Sequence, residues 1–207
     1  TQWSSSAASD VYKRQLYARL NKIIKSNCVV TSNTSSIPIT LLMEDMNIDF
    51  QERFAITHYF NPVRYMRLLE LVVGEHTRGD IVHKLAEFND VILGKGVIRC
   101  KDTPGFIGNR LGVYAMQVGL NEALKRNIPF DDADAILGRP MGVPKTGVFG
   151  LYDLIGIDLM SDVVASMRQI LPKNDDFQKV GTDPELITSL IKSGYTGQKG
   201  LGGFYKE

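Results

Sequence analysis

Apolar and polar residues follow two different patterns along the chain, and the change falls near residue 102. In the first half, short β-branched or apolar runs stand between segments with helical spacing. The runs predict strands over 28–31, 53–60, 68–73 and 96–100, and the helical spacing predicts helices over 16–24, 41–46 and 78–93. In the second half the pattern predicts helices only, over 106–125, 131–137, 151–171 and 183–192. We therefore predict an α/β domain over 16–101 followed by an all-helical domain over 102–207.

The composition excludes several classes of protein but does not indicate a particular function. The hydrophobic fraction is 43%, which is enough for a packed core, and 24 Lys+Arg against 23 Asp+Glu leave a net charge of +1. This nearly neutral charge does not predict binding to a nucleic acid or to an anionic membrane. No apolar run approaches the roughly 18–20 residues of a membrane span. Cys28 and Cys100 cannot form a disulfide framework, no metal-ligand cluster accompanies them, and both are predicted to be buried core thiols.

The first fifteen residues carry little apolar material and no period. A frayed polar terminus is the ordinary interpretation. However, residues 5–15 (SSAASDVYKRQ) can be back-translated into a sequence that resembles the adapter of transposase-based sequencing libraries. We interpret residues 1–15 as a non-native, adapter-derived segment, although residues 1–4 are of unknown origin. The natural sequence is then expected to start mid-gene at about Leu16.

His58 and Glu70 are the candidates for acid–base chemistry. His58 stands near the end of a predicted strand, and Glu70 lies within the apolar run of the next one. A strand–turn–strand arrangement could place the carboxylate against the imidazole, where it would stabilise the protonated ring. From spacing alone, a surface-strand glutamate and an ordinary core-edge histidine are the more common arrangement.

Three further polar residues lie where they could contact a ligand. Asn33 and Ser35 occupy a loop after a predicted strand, and Asn109 stands in the first turn of a long predicted helix. Loop and cap hydrogen bonds, or a solvent-facing amide, would explain them equally well. No G-x-G-x-x-G fingerprint occurs in the 207 residues, so no pyrophosphate site is predicted within them.

Several segments together resemble the signature blocks of the L-3-hydroxyacyl-CoA dehydrogenase family. They are residues 32–36 (SNTSS), residues 58–62 (HYFNP) with Glu70, and residues 101–110 (KDTPGFIGNR). Residues 149–156 (FGLYDLIG) and 200–205 (GLGGFY) are similar to the helical domain of that family. The order and spacing fit from about residue 16 to residue 205, and the combination is specific although each block alone is modest. Because of this resemblance, a His58–Glu70 pair becomes the favoured interpretation, although spacing alone favours the ordinary one.

The resemblance implies roles for the candidate residues. His58 would be the general base for the 3-hydroxyl group of an acyl-CoA substrate, and Glu70 would orient it. Ser35 and Asn109 would hydrogen-bond the substrate oxygen. The implied cofactor is NAD, with Asn33 and Ser35 near its nicotinamide end and Lys199 at a position that approaches it. The implied fold is the C-terminal part of a Rossmann-type NAD-binding domain followed by the helical domain, with no metal.

Other expectations follow from how the chain departs from the family. The first βαβ unit with its glycine fingerprint is absent from these residues, so the isolated chain is expected to be an inactive fragment with negligible NAD binding. Residues 64–70 (RYMRLLE) and 139–146 (RPMGVPKT) look most like bifunctional bacterial members that also carry an enoyl-CoA hydratase domain. The gene product is then expected to continue beyond Glu207, in the cytoplasm of a bacterium.

Two alternatives remain open at this stage. A shared fold does not fix the substrate, so a related NAD-dependent dehydrogenase of a non-CoA hydroxy acid would show the same blocks. The chain could instead be a non-catalytic helical module. In stand-alone family members the helical domain forms the subunit interface, which makes a homodimer through this domain the implied assembly.

Overall fold

The computed structural model describes residues 5–35, 37–143 and 145–205, with the backbone alone for residues 5–10. The chain divides into two compact units, Thr1–Arg110 and Leu111–Glu207. The first unit is α/β and the second is helical, which is the predicted architecture. None of the helices in the described ranges is both long and apolar enough to cross a membrane. The same ranges contain no group of three or more His, Cys, Asp or Glu residues placed to hold a metal ion.

The first unit is built on a four-stranded sheet with the order β1-β2-β3-β4. The strands are β1 Val30–Ser32, β2 Phe54–Tyr59, β3 Leu68–Val73 and β4 Gly96–Cys100. β1 and β2 are parallel, β2 and β3 antiparallel, and β3 and β4 parallel. β2 and β3 are buried along most of their length, which explains their nearly continuous apolar runs.

Four α-helices accompany the sheet in the described part of the first unit. α1 Ser5–Asn21 precedes β1, α2 Ile39–Met43 and α3 Ile48–Glu52 lie between β1 and β2, and α4 Gly79–Glu87, which continues as a π-helical turn over Phe88–Ile92, lies between β3 and β4. α1 begins well before Leu16, where the sequence pattern placed its start. It packs on the sheet through Tyr17, whose ring meets Phe54 edge-on at 5.0 Å and whose hydroxyl donates to Oγ of Ser32 at 2.8 Å.

The second unit is a helical bundle around a core of apolar side chains. Its helices are α5 Gly108–Lys125, α6 Phe130–Ile136, α7 Phe149–Ile155, α8 Ile157–Ile170, α9 Phe177–Val180 and α10 Glu185–Lys192. The division between the units falls inside α5. The single helix predicted over 151–171 is wrong, because the backbone turns at Gly156, where φ is +113° and L side chains are rarely found.

Two buried aspartates fasten the C-terminal segment of the helical unit. Asp134 accepts hydrogen bonds from the amides at the start of α7, among them Phe149 at 2.8 Å, and from the hydroxyl of Tyr205 at 2.8 Å. Asp153 accepts the amide N–H groups of Phe204 and Tyr205, both at 2.9 Å. The two carboxylates therefore supply hydrogen-bond acceptors for backbone N–H groups that have no partner within a helix or strand.

Candidate active site

His58 and Glu70 face each other across neighbouring strands. The antiparallel register of β2 and β3 pairs the two residues directly, so their side chains emerge on the same face of the sheet. Nδ1 of His58 lies 2.6 Å from Oε2 of Glu70, and the two side chains are only 8% and 1% exposed. An ionised carboxylate can only accept hydrogen bonds, so Nδ1 carries the shared proton. Nε2 is then the ring atom that can take up another proton.

Backbone groups hold the second oxygen of Glu70. The amide N–H groups of Ile107 and Gly108 donate to Oε1 at 2.8 and 2.7 Å, and the Cys100 thiol donates to the same atom with Sγ at 3.8 Å. Gly108 is the first residue of α5, where N–H groups have no partner within the helix. The partial positive charge at this helix end favours an anionic carboxylate.

The surroundings of Glu70 keep it ionised. Burial by itself raises the pKa of Glu70, but hydrogen bonds from His58 and from the amides of Gly108 and Ile107 outweigh it, so the pKa lies below its ordinary value. A negative group beside the imidazole stabilises the protonated ring. Burial, together with the charge of Glu70, raises the pKa of Cys100 to about 11, so its thiol stays protonated at neutral pH.

Aromatic rings enclose the imidazole. The ring centre of Phe60 lies 4.5 Å from that of His58, and the ring centre of Phe106 lies 5.8 Å away. Phe106 is buried and has a positive φ of 47°, a conformation that non-glycine residues rarely adopt. Such backbone strain is commonly found at ligand and active sites.

Ser35 and Asn109 come together beside the pair. Asn109 directly follows Gly108, and its Nδ2 lies 3.5 Å from the backbone oxygen of Ser35. Both residues are partly buried. The loop after β1 and the start of α5 therefore meet next to the helix end that holds Glu70.

Asn33 lies at the edge of the sheet where β1 and β2 end. Its Oδ1 accepts the amide N–H of Tyr59, the residue after His58, at 2.8 Å. Ligands of open α/β sheets bind outside the carboxyl ends of parallel strands, and this edge is such a position. Part of the Asn33 side chain is thus occupied in joining the loop to β2, and its contact with a cofactor stays a prediction.

Lys199 belongs to the helical unit. Its Nζ forms an ion pair with Oδ1 of Asp158 at 3.0 Å, near the start of α8, and its side chain is 51% exposed. The role in cofactor binding that the family resemblance implies for Lys199 stays a prediction.

Sequence reasoning missed the groups that support the pair. The amides of Ile107 and Gly108 carry no side-chain signature, and the residues stand 37 and 38 positions from Glu70. Asp102, which reads as part of a turn, accepts the amide N–H of Ile39 at 2.7 Å across 63 positions. No local pattern in the sequence could have revealed these contacts.

Comparison with known proteins assigns the chain to a family. The sequence profile described as "3-hydroxyacyl-CoA dehydrogenase, NAD binding domain" matches residues 9–103. The profile described as "3-hydroxyacyl-CoA dehydrogenase, C-terminal domain" matches residues 105–207. The chain therefore belongs to the 3-hydroxyacyl-CoA dehydrogenase family, and its fold is a Rossmann-like NAD-binding domain followed by the family's helical domain.

Individual relatives agree with this assignment. The chain is 39% identical to the "Putative fatty acid oxidation complex trifunctional enzyme" of Rickettsia prowazekii, over 94% of this chain and 27% of the relative. It is 34% identical to the "Probable 3-hydroxyacyl-CoA dehydrogenase" of Deinococcus radiodurans, over 94% of this chain and 55% of the relative. The crystal structure of 3-hydroxybutyryl-CoA dehydrogenase from Escherichia coli K12 superposes with a TM-score of 0.80 at 30% identity, covering 95% of this chain and 40% of that one. The chain thus spans about a quarter to a half of the length of these curated relatives.

Proposed function

We propose that this chain supplies the proton-accepting centre of a dehydrogenase that oxidises L-3-hydroxyacyl-CoA to 3-ketoacyl-CoA with NAD, in fatty-acid β-oxidation. The observation that carries the proposal is the 2.6 Å contact between His58 and the buried Glu70. Family membership supports the substrate class and the cofactor. The protein is accordingly an oxidoreductase acting on a CH–OH group.

Each residue of the site has a separate task in this reaction. Nε2 of His58 takes the proton of the 3-hydroxyl group as the carbonyl forms. Glu70 fixes the ring tautomer and stabilises the imidazolium, which the shared proton on Nδ1 permits. Ser35 and Asn109 hydrogen-bond the substrate oxygen and hold C3 at the distance needed for hydride transfer.

The residues at the sheet edge fit one end of the cofactor. Asn33 and Ser35 lie in the loop after β1, outside the carboxyl ends of two parallel strands, and their amide and hydroxyl groups suit the nicotinamide and its ribose. Lys199 is proposed as a further contact. When bound, NAD supplies the acceptor for the hydride that leaves C3.

The domain division that we propose is a partial NAD-binding domain over 16–101 and the helical domain over 102–207, after an adapter-derived segment over 1–15. The family profiles change at residues 103 to 105, which supports a boundary near residue 102, whereas the first profile begins at residue 9, within the proposed segment, and the compact units divide after Arg110. Resequencing of the source DNA without a transposase step tests the first segment, since genuine coding sequence would be read again. Cell fractionation tests the cytoplasmic location that we propose.

An assay of NADH formation tests the proposed activity. The polypeptide encoded by the complete reading frame that contains these residues is given NAD and L-3-hydroxybutyryl-CoA, and the reverse reaction uses acetoacetyl-CoA with NADH. Turnover is expected, and His58→Gln is expected to abolish it. The matched control is His83→Gln, because His83 is an exposed histidine on α4.

Other outcomes of the same assay would favour the alternatives. Oxidation of sugar acids or other hydroxy acids, without turnover of the CoA substrate, would indicate a related dehydrogenase of a different substrate class. Absence of turnover on every substrate would leave a non-catalytic helical module. The 207-residue chain assayed beside the longer polypeptide tests the expectation that the isolated chain is inactive.

We also propose that the helical unit forms a homodimer. An apolar groove of about 400 Å³ runs along α5 and α6, and its lining includes Val118, Ile136 and Met141. Ile136 and Met141 are 57% and 63% exposed, and patches of this kind commonly mark protein interfaces. Sedimentation should show a dimer that Ile136→Glu dissociates, whereas Ile23→Glu in the other unit leaves it intact. A monomeric wild-type protein would overturn this proposal.

A further inference from the structure

Asp102 joins two loops that are far apart in the sequence. It follows β4, and its carboxylate accepts the amide N–H groups of Ile39 and Thr40 at 2.7 and 3.1 Å, at the start of α2. The hydroxyl of Thr40 donates to the same carboxylate at 3.0 Å. Three donors therefore converge on one side chain: the bond from Ile39 is partly buried, and the two bonds from Thr40 are exposed to solvent.

Both of the joined loops carry residues of the candidate site. The loop that leads into α2 contains Asn33 and Ser35. The segment that begins at Asp102 contains the two amides that bind Glu70, and it ends at Asn109. A displacement at Asp102 would therefore reach both sides of the site.

Ile37 and Ile39 pack in the same apolar core as Phe106, and the remaining side-chain hydrogen bonds from the loop over residues 33–38 to the strands and to α5 are weaker than those of Asp102. Asn33 accepts one neutral hydrogen bond, from the amide of Tyr59 at 2.8 Å. Asn109 reaches the backbone oxygen of Ser35 only at 3.5 Å, the outer limit of a hydrogen bond. Without Asp102, the start of α2 would lose its side-chain hydrogen bonds to the segment over residues 102–109 and would be held to it by apolar packing alone.

We propose that Asp102 is a positioning residue that sets Ser35 and Asn109 in place relative to the His58–Glu70 pair. The proposal rests on the proposed function, in which Ser35 and Asn109 hold the substrate oxygen. Asp102 itself contacts neither substrate nor cofactor in this scheme. It acts through the two loops that it fastens together.

Three variants separate positioning from general stability. Asp102→Ala removes all three hydrogen bonds. Asp102→Asn keeps one acceptor oxygen, which can serve either the amide of Ile39 or the two donors of Thr40 but not both sets. Asn47→Ala is the matched control, because Asn47 caps α3, another five-residue helix of the same unit, by accepting the amide of Phe50 at 3.0 Å. α3 carries none of the candidate site residues.

Kinetics of the complete protein give the first measurement. Asp102→Ala is expected to lower kcat about tenfold to a hundredfold, with a smaller change in KM, because a misplacement of about 1 Å has an effect of this size. Asp102→Asn is expected to recover part of the loss, since one of its two acceptor positions remains. Asn47→Ala is expected to leave kcat within about twofold of wild type because its cap lies away from the reacting groups. A wild-type kcat in Asp102→Ala, or an equal loss in Asn47→Ala, overturns the proposal.

Hydrogen exchange of the 207-residue chain gives a second measurement that needs no turnover. The amides of Tyr59, Ile107 and Gly108 are expected to exchange faster in Asp102→Ala than in wild type or Asn47→Ala. Unchanged exchange in Asp102→Ala overturns the proposal. If the complete wild-type protein oxidises no hydroxyacyl-CoA, the proposed function fails, and the exchange rates alone then decide whether Asp102 positions the loops.

Discussion

Replacement of Glu70 by Gln tests the role of the carboxylate with almost no change in shape. In the native protein Oε1 accepts the amides of Ile107 and Gly108, and Oε2 accepts the proton on Nδ1 of His58. A glutamine has only one acceptor oxygen. If that oxygen keeps the two backbone amides, its NH₂ group faces Nδ1, which must then be unprotonated. The proton moves to Nε2, the atom that has to accept the substrate proton.

The size of the effect follows from these contacts. A hydrogen bond to a charged group contributes about 1.5–3 kcal/mol, which is about 10- to 150-fold in rate at about 1.4 kcal/mol per factor of ten. The wrong tautomer adds to this loss, and in serine proteases the corresponding Asp→Asn change costs about 10⁴-fold in kcat. We therefore expect Glu70→Gln to lower kcat about 10²- to 10⁴-fold, with a smaller effect on KM.

Two measurements check this prediction. NADH formation by the complete protein gives kcat, and nitrogen-15 spectra of the imidazoles in the 207-residue chain report the tautomer of His58. Only three histidines are present, which keeps the spectrum simple. Glu75→Gln is the matched control, because Glu75 is exposed just after β3. A kcat within tenfold of wild type, or a proton that stays on Nδ1 in Glu70→Gln, would refute the reasoning.

Three further predictions concern acid stability, thiol reactivity and backbone strain. Because folding lowers the pKa of Glu70, its stabilising contribution is complete above about pH 4.5 and is lost as the pH falls through the folded value. The unfolding free energy of wild type, measured with urea, should therefore fall more steeply with decreasing pH than that of Glu70→Gln. Parallel curves of unfolding free energy against pH would contradict this. Cys100 is buried and its pKa is raised to about 11. A thiol reagent at pH 8 should therefore label only Cys28 in the native chain and both cysteines in urea. Rapid labelling of both cysteines in the native chain would contradict this prediction. At Gly156 φ is +113°, and a Cβ would lie 2.5 Å from Cε of Lys199. Gly156→Ala should therefore lower the unfolding free energy by about 1–3 kcal/mol. Gly79→Ala is the control and should cause no such loss, because a Cβ at Gly79 would meet open space.

The sequence pattern was sufficient for the order of the four strands, but it missed the short helices α3 and α9 and the exact ends of several elements. Strands over 53–60 and 68–73 correspond to β2 and β3, because continuous apolar runs identify buried strands well. The break between α7 and α8 was missed, since a glycine within an apolar period looks the same whether its φ is negative or positive. The predicted start of α1 at residue 16 is too late, because residues 5–15 carry little apolar material and no helical period and nevertheless lie in α1.

The candidate site divides in the same way. Side chains with chemical character could be selected from the sequence, and the resemblance to the family raised His58 and Glu70 above the other polar residues. The groups that hold these two side chains in position could not be identified from the sequence. The amides of Ile107 and Gly108 belong to the backbone, and Asp102 acts on a helix 62 and 63 positions away.

The twelve-residue separation of His58 and Glu70 becomes meaningful only through the register of the hairpin. The intervening residues 60–67 form a loop rather than a tight turn, so the spacing alone does not determine which residues of β2 and β3 stand opposite each other. A slip of one residue would put Leu69 or Leu71 opposite His58 and turn Glu70 to the other face of the sheet. The ionised carboxylate would then be buried away from both the imidazole and the start of α5, at a cost of several kcal/mol. The hydrogen bonds that orient the base for catalysis thus also help to select the register of the strands that carry it.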